Sequence, residues 1–164
     1  MNILGIDYGR SRIGLAIADS EAGMARPLDT LVRINRNEDM RRLREILREQ
    51  SVKQIVVGLP LRLDGTRGDM AEEATRFAQR VQKQFGVTVE MCDERLTSWE
   101  AERLLEEQSG RVRHEANRGA EEKRKRLAGK ISVDAVAAAV ILRDYLELRT
   151  ARAAGAQSDE AKLI

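Results

Sequence analysis

A chain of 164 residues that is 42% hydrophobic and 34% charged can bury one sizeable core, and its balance is that of a single globular domain. A net charge of +2 excludes a polycation, so affinity for an anionic polymer has to come from local patches. One cysteine, Cys92, excludes an internal disulfide, and one histidine, His114, leaves little material for a Ser-His or Cys-His nucleophile pair. No apolar run approaches the roughly 18 residues of a membrane span, and the N-terminus does not read as a secretory signal. The expected setting is the reducing cytoplasm, away from membranes.

In chain order, residues 2–8 read as a buried strand that ends on an acid, Gly9 and Arg10 as a turn, and residues 12–18 as a second strand closing a hairpin. Ala25-Arg26-Pro27 reads as a break, with a third strand over Asp29–Ile34. Met40, Leu43, Ile46 and Leu47 have helical spacing within 38–50. The short apolar run 53–59 has the pattern of a strand covered on both faces and stops at Pro60. A helix over 69–85 carries Met70, Ala74, Phe77, Ala78 and Val81 on one side. A strand over 87–92 and a helix over 98–107, capped by Thr97 or Ser98, follow.

Residues 108–130 are polar, glycine-punctuated and basic, and read as a mobile loop that includes Lys123, Arg124, Lys125 and Arg126. Residues 132–148 form the most apolar helix, with Ser132 as its cap, and 150–164 read as a frayed tail beyond a domain of residues 1–149. Strands joined through helical crossovers lie parallel, whereas the opening hairpin is antiparallel. The class is α/β, with a mixed five-stranded sheet and helices on both faces.

Acidic residues stand at the ends of three core elements. Asp7 closes the first strand, Asp93 and Glu94 close the fifth, and Asp134 lies in the first turn of the apolar helix. Each has a structural explanation: a turn aspartate beside Gly9, an ion pair to Arg95, an acid favoured by a helix dipole. Asp93 and Glu94 alternate faces, so one of the two aims into any site. Together the acids could meet at one edge of the sheet. Two carboxylates about 4 Å apart repel by roughly 4 kcal/mol at an effective dielectric of 20, so such a cluster needs a cation or a shared proton. An all-oxygen ligand set suits Mg²⁺ or Mn²⁺, and a metal pair can cleave a phosphodiester without a histidine base.

Four segments carry a family resemblance. Gly5-Ile6-Asp7-Tyr8-Gly9 with Arg12-Ile13-Gly14 resembles the opening of the YqgF/RuvX family. Val57-Gly58-Leu59-Pro60-Leu61 with Asp64-Gly65, Asp93-Glu94-Arg95-Leu96-Thr97-Ser98, and Val133-Asp134-Ala135-Val136-Ala137-Ala138 resemble its later motifs, in the family's order and over residues 1–148. The resemblance implies a ribonuclease-H-like fold and a divalent-metal-dependent nuclease acting in 5′-end maturation of pre-16S rRNA. It makes Asp7, Glu94 and Asp134 the catalytic metal ligands, with Asp93 as a substitute or an outer group. Arg62 stands where family members commonly have asparagine.

Arg10, Arg12, Arg62, Arg67 and Arg95 flank the acids and are placed to meet phosphate, as is the basic loop around Arg124; solvated surface is the plainer reading of any one of them. Other readings are a resolvase of four-way DNA, working as a symmetric dimer where the nuclease could be a monomer, and a non-catalytic RNA-binding module. The Ile-Asp-x-Gly hairpin also opens the actin and sugar-kinase superfamily. Those proteins close two such domains over ATP, for which this chain is too short.

Overall fold

The computed structural model describes residues 1–94 and 132–160, with side chains through Ala153. Strand β1 (Asn2–Tyr8) turns back into β2 (Arg12–Asp19), and β3 (Ala25–Val32) continues the antiparallel ladder. Helix α1 (Arg36–Glu49) then leads to β4 (Val52–Leu59), which lies parallel to β1. Helix α2 (Asp69–Phe85) leads to β5 (Thr88–Asp93), parallel to β4, and α3 (Val133–Glu160) follows. The sheet order is β3-β2-β1-β4-β5, the mixed five-stranded sheet expected from the crossover pattern.

Local chemistry sets the element ends. The Asn35 side chain accepts the Glu38 amide at 2.9 Å and opens α1. Gly86, in the left-handed conformation, ends α2 by donating to the Gln82 carbonyl. The Ser132 hydroxyl accepts the Ala135 amide at 3.2 Å and meets the Thr30 hydroxyl, which caps α3 and ties its start to β3.

The two faces of the sheet form two cores. Leu4, Ile6, Ile13, Leu15, Ile55 and Val57 pack under Met40 and Leu43 of α1 and Phe77 and Val81 of α2. Ile3, Ala16, Ala18, Val56 and Cys92 pack under Ala138, Ile141, Leu142 and Leu146 of α3. Helices therefore cover both faces, and among the described residues α3 alone covers the second.

Two expectations are corrected. The third strand does not wait for Asp29: it begins at Ala25 and runs through Pro27, which pairs with Ala16. Proline lacks an N–H and is tolerated where β3 lies at the sheet edge, next to the register shift between Leu15 and Ala16. The apolar helix also does not fray at 150 but continues to Glu160. The residues past 148 include Arg149, Ala151, Arg152 and Ala153, all strong helix formers, and they outweigh Gly155. The helix expected over 98–107 and the basic loop at 108–130 lie outside the described residues.

Candidate active site

Alternation along β1 puts Ile3 on the α3 face, and Asp7, four residues on, shares that face at the carboxyl end of the strand. Its register partner in β2 is Gly14. A Cβ on Gly14 would overlap the Asp134 carbonyl oxygen and lie 3.0 Å from the Asp134 Cβ. The missing side chain lets the first turn of α3 rest on the sheet and brings Asp134 beside Asp7.

Glu94 arrives from the other side. Its amide donates to the Leu59 carbonyl at 3.2 Å and prolongs the β4–β5 ladder, so Glu94 shares a face with Cys92 under α3. The Glu94 carboxylate lies on the bare backbone of Gly58, where a Cβ would overlap Oε1 and come within 2.6 Å of Cδ. Asp93 alternates away and is exposed. Of the two adjacent acids, Glu94 is the one brought to Asp7.

The electrostatics record the convergence. Burial first, and then the charge of Asp134, push the Asp7 carboxyl up to about 6. Burial, followed by the charges of Asp7 and Asp93, pushes Glu94 up to about 8. The carboxylate of Asp134 is met by Arg12, whose Nε lies 2.8 Å from Oδ2. Among the described residues no three His, Cys, Asp or Glu side chains are grouped to hold a metal ion as they lie, and Asp134 is turned to this arginine. The donor set nonetheless fits a hard divalent cation: the groups are all carboxylates, and a cation would offset the burial and mutual repulsion that push two of them up.

The arginines divide. Arg10 forms a two-pronged pair with Glu73 of α2, with Nη2 to Oε1 at 2.8 Å, and Arg12 is committed to Asp134. Arg62 and Arg67 are exposed in the loop after β4, with the Arg62 side chain lying against Gly68. Arg95, Lys123, Arg124, Lys125 and Arg126 lie outside the described residues.

One group escapes a reading of the sequence. Arg33 donates to Asp39 at 3.1 Å, to the Tyr8 hydroxyl at 2.9 Å and to the Gly9 carbonyl at 3.3 Å, and stacks on the Tyr8 ring. It clamps the turn that follows Asp7. No local spacing links these residues; only Asp39, a buried acid in the first turn of α1, hints at a partner. Cys92 is buried, which pushes its thiol up to about 11 and makes it unreactive. A groove between Arg44, Leu47, Val52 and Phe85 lies at the opposite end of the sheet. The C-termini of α1 and α2 converge there, beside Arg48 and Lys53.

A mixed five-stranded sheet in this order, with helices on both faces and acids at the carboxyl ends of β1 and β5, is the ribonuclease-H-like architecture. The solved structure of Thermus thermophilus RuvC in complex with a Holliday junction substrate has the same fold, with a TM-score of 0.52 at 18% identity over 92% of this chain and 96% of that one. The model of the family described as "RuvX: Holliday junction resolvase" matches residues 1–148, and the chain belongs to that family. A relative from Anaeromyxobacter sp. (strain K), named "Putative pre-16S rRNA nuclease", is 42% identical over 149 residues, 91% of this chain and 98% of its own length. A relative of the same name from Thermosynechococcus vestitus is 36% identical over 161 residues, 97% of each chain.

Proposed function

We propose that the chain is a divalent-metal-dependent nuclease of the cytoplasm that hydrolyses phosphodiester bonds during 5′-end maturation of pre-16S rRNA. The observation that carries this reading is the meeting of Asp7, Asp134 and Glu94, from three distant segments, with two of the carboxyls pushed up toward neutrality. Groups shifted by burial together with a specific charged neighbour cluster at functional sites. Asp7, Glu94 and Asp134 would hold Mg²⁺ or Mn²⁺, which supplies the charge that activates water and stabilises the leaving oxygen. Asp7 and Glu94 act as ligands only when ionised, so occupancy of the site releases protons. Arg62 and Arg67 face solvent at this end of the sheet and would take phosphates, and Arg12 would join them once freed from Asp134. Asp93 raises the charge demand on Glu94 from outside the ligand set.

The family description favours a second reading, cleavage of four-way DNA. Fragments spanning the 5′ end of pre-16S rRNA, unstructured RNA and four-way DNA should be incubated side by side with Mn²⁺ and with chelator. Cleavage of the rRNA fragment, lost in Asp7→Asn, Glu94→Gln and Asp134→Asn, is the expected outcome. Paired symmetric cuts confined to four-way DNA would replace the RNA reading. Undiminished cleavage by any amide variant would remove that residue from the site.

A further inference from the structure

The connection from β4 to α2 is short on freedom. The Arg62 amide donates to the Thr66 carbonyl at 2.9 Å, and the Gly65 amide donates to the Arg62 carbonyl at 2.8 Å. Asp64 Oδ1 accepts from the Thr66 amide at 2.9 Å and from its hydroxyl at 2.6 Å, which also holds the Asp64 carboxyl below the usual range. Gly65 supplies the positive φ that closes the turn.

At the tip of this locked turn Leu63 is 95% exposed, more than any other large apolar side chain among the described residues. A leucine exposed on an ordinary surface needs no explanation, and a flexible loop could fold it back onto the protein. Here the turn holds it out. Arg62 and Arg67, both exposed, stand on either side of it in sequence. The loop leaves the sheet at Leu59, the residue whose carbonyl receives the Glu94 amide, so it is rooted in the acid corner.

Leucine is one of the apolar side chains that nucleic-acid-binding proteins insert at base steps. With aromatics only 3% of the chain, this turn offers an apolar surface where a stacking aromatic would otherwise serve. We infer that the 60–68 turn is a base-contacting element: Leu63 packs against an unpaired base next to the scissile phosphate, while Arg62 and Arg67 hold the flanking phosphates. The inference rests on the nuclease reading and deepens it, because it makes an unstacked RNA base part of what the site selects.

The test uses single-stranded RNA carrying 2-aminopurine at successive positions, bound in EDTA so that nothing is cut, with cleavage in Mn²⁺ followed in parallel. Wild-type protein should raise the fluorescence at one position. Leu63→Ala should abolish that rise and weaken binding about tenfold, the order expected when a leucine loses its burial, without changing the melting temperature or the salt slope. Leu63→Phe should restore both signals. Arg62→Ala with Arg67→Ala should keep the fluorescence rise and reduce the slope of log K against log salt by about 1.4, near 0.7 per lost phosphate contact. Wild-type cleavage with an unchanged Leu63→Ala response would overturn the base contact and leave the nuclease reading standing. Loss of self-association in Leu63→Ala, with fluorescence intact, would assign the leucine to a second copy of the chain and also overturn it. A wild-type protein that neither binds nor cuts would overturn both.

Discussion

Replacing Asp7 by asparagine should abolish cleavage and, without metal, make the protein more stable. The Asp7 carboxyl is raised from 3.8 to about 6 in the folded chain, by burial and then by Asp134. A raised folded pKa means that the native state holds the proton more tightly than the unfolded chain does. The stability this contributes is fully present below about 3.8, is lost as pH rises through about 6, and stays lost above it. At 1.36 kcal/mol per pKa unit, the ionised aspartate costs the fold up to about 3 kcal/mol at pH 8, and relaxation around the group brings this nearer 1–2. Asparagine keeps the shape and removes the charge. In a domain of this size the gain is roughly 2–8 °C of melting temperature. Melting Asp7→Asn and wild type in EDTA from pH 4 to 8 should show curves that nearly meet at the acid end and separate toward pH 8. Saturating Mg²⁺ or Mn²⁺ should stabilise wild type far more than the variant. If the variant is no more stable than wild type at pH 8, or if the gap is independent of pH, ionised Asp7 is not strained by its burial and its neighbour, and the argument for a cation at this corner fails.

Gly58→Ala puts a methyl group into the Glu94 carboxylate and against Ile141, so cleavage should be lost at an overpacking cost of about 1–3 kcal/mol. Adding Glu94→Ala should recover much of that stability in thermal melts but none of the activity. Arg12→Ala frees Asp134 from an exposed ion pair worth at most about 1 kcal/mol; calorimetry with Mn²⁺ in the absence of RNA should show severalfold tighter metal binding, and weaker metal binding would mean that Arg12 orients Asp134 instead of competing for it. Mg²⁺ or Mn²⁺ should support turnover that chelator abolishes, whereas Ca²⁺, with its looser geometry, should bind and cut poorly; full activity in excess EDTA would refute a metal mechanism. Changing Lys123, Arg124, Lys125 and Arg126 to alanine should weaken RNA binding alike across sequences and flatten its salt dependence, with single-turnover cleavage at saturation nearly unchanged; an unaltered slope would make the segment mere solvated surface.

Much of the fold is legible because the strands and helices differ in period. The apolar run ending at Leu59 and the crossovers through α1 and α2 predict the parallel arrangement that β1, β4 and β5 adopt. What misleads is local punctuation whose meaning depends on position. Pro27 reads as a break, yet it sits inside an edge strand where a missing N–H costs little. The Ala-, Gly- and Ser-containing stretch from 150 reads as a frayed tail, yet the helix continues to Glu160.

The site was legible as a set of acids and not as a geometry. Asp7, Glu94 and Asp134 end core elements, which a sequence can reveal, but their meeting depends on side chains that are absent. Gly14 pairs with Asp7 from β2, and Gly58 lies on β4, the strand on the other side of β1. One glycine admits the backbone of α3 and the other admits the carboxylate of Glu94. A glycine inside a strand signals a close approach but not what approaches. Choosing between Asp93 and Glu94 likewise needs the path of β5, because one residue of register moves a side chain to the other face. The Arg33–Asp39–Tyr8 clamp brings together three segments with no shared pattern. The acids set the chemistry that is available, and the two glycines and the clamp set how closely the acids are held together. A search for the site in a related chain is therefore better aimed at a strand-end acid flanked by in-strand glycines than at acids alone.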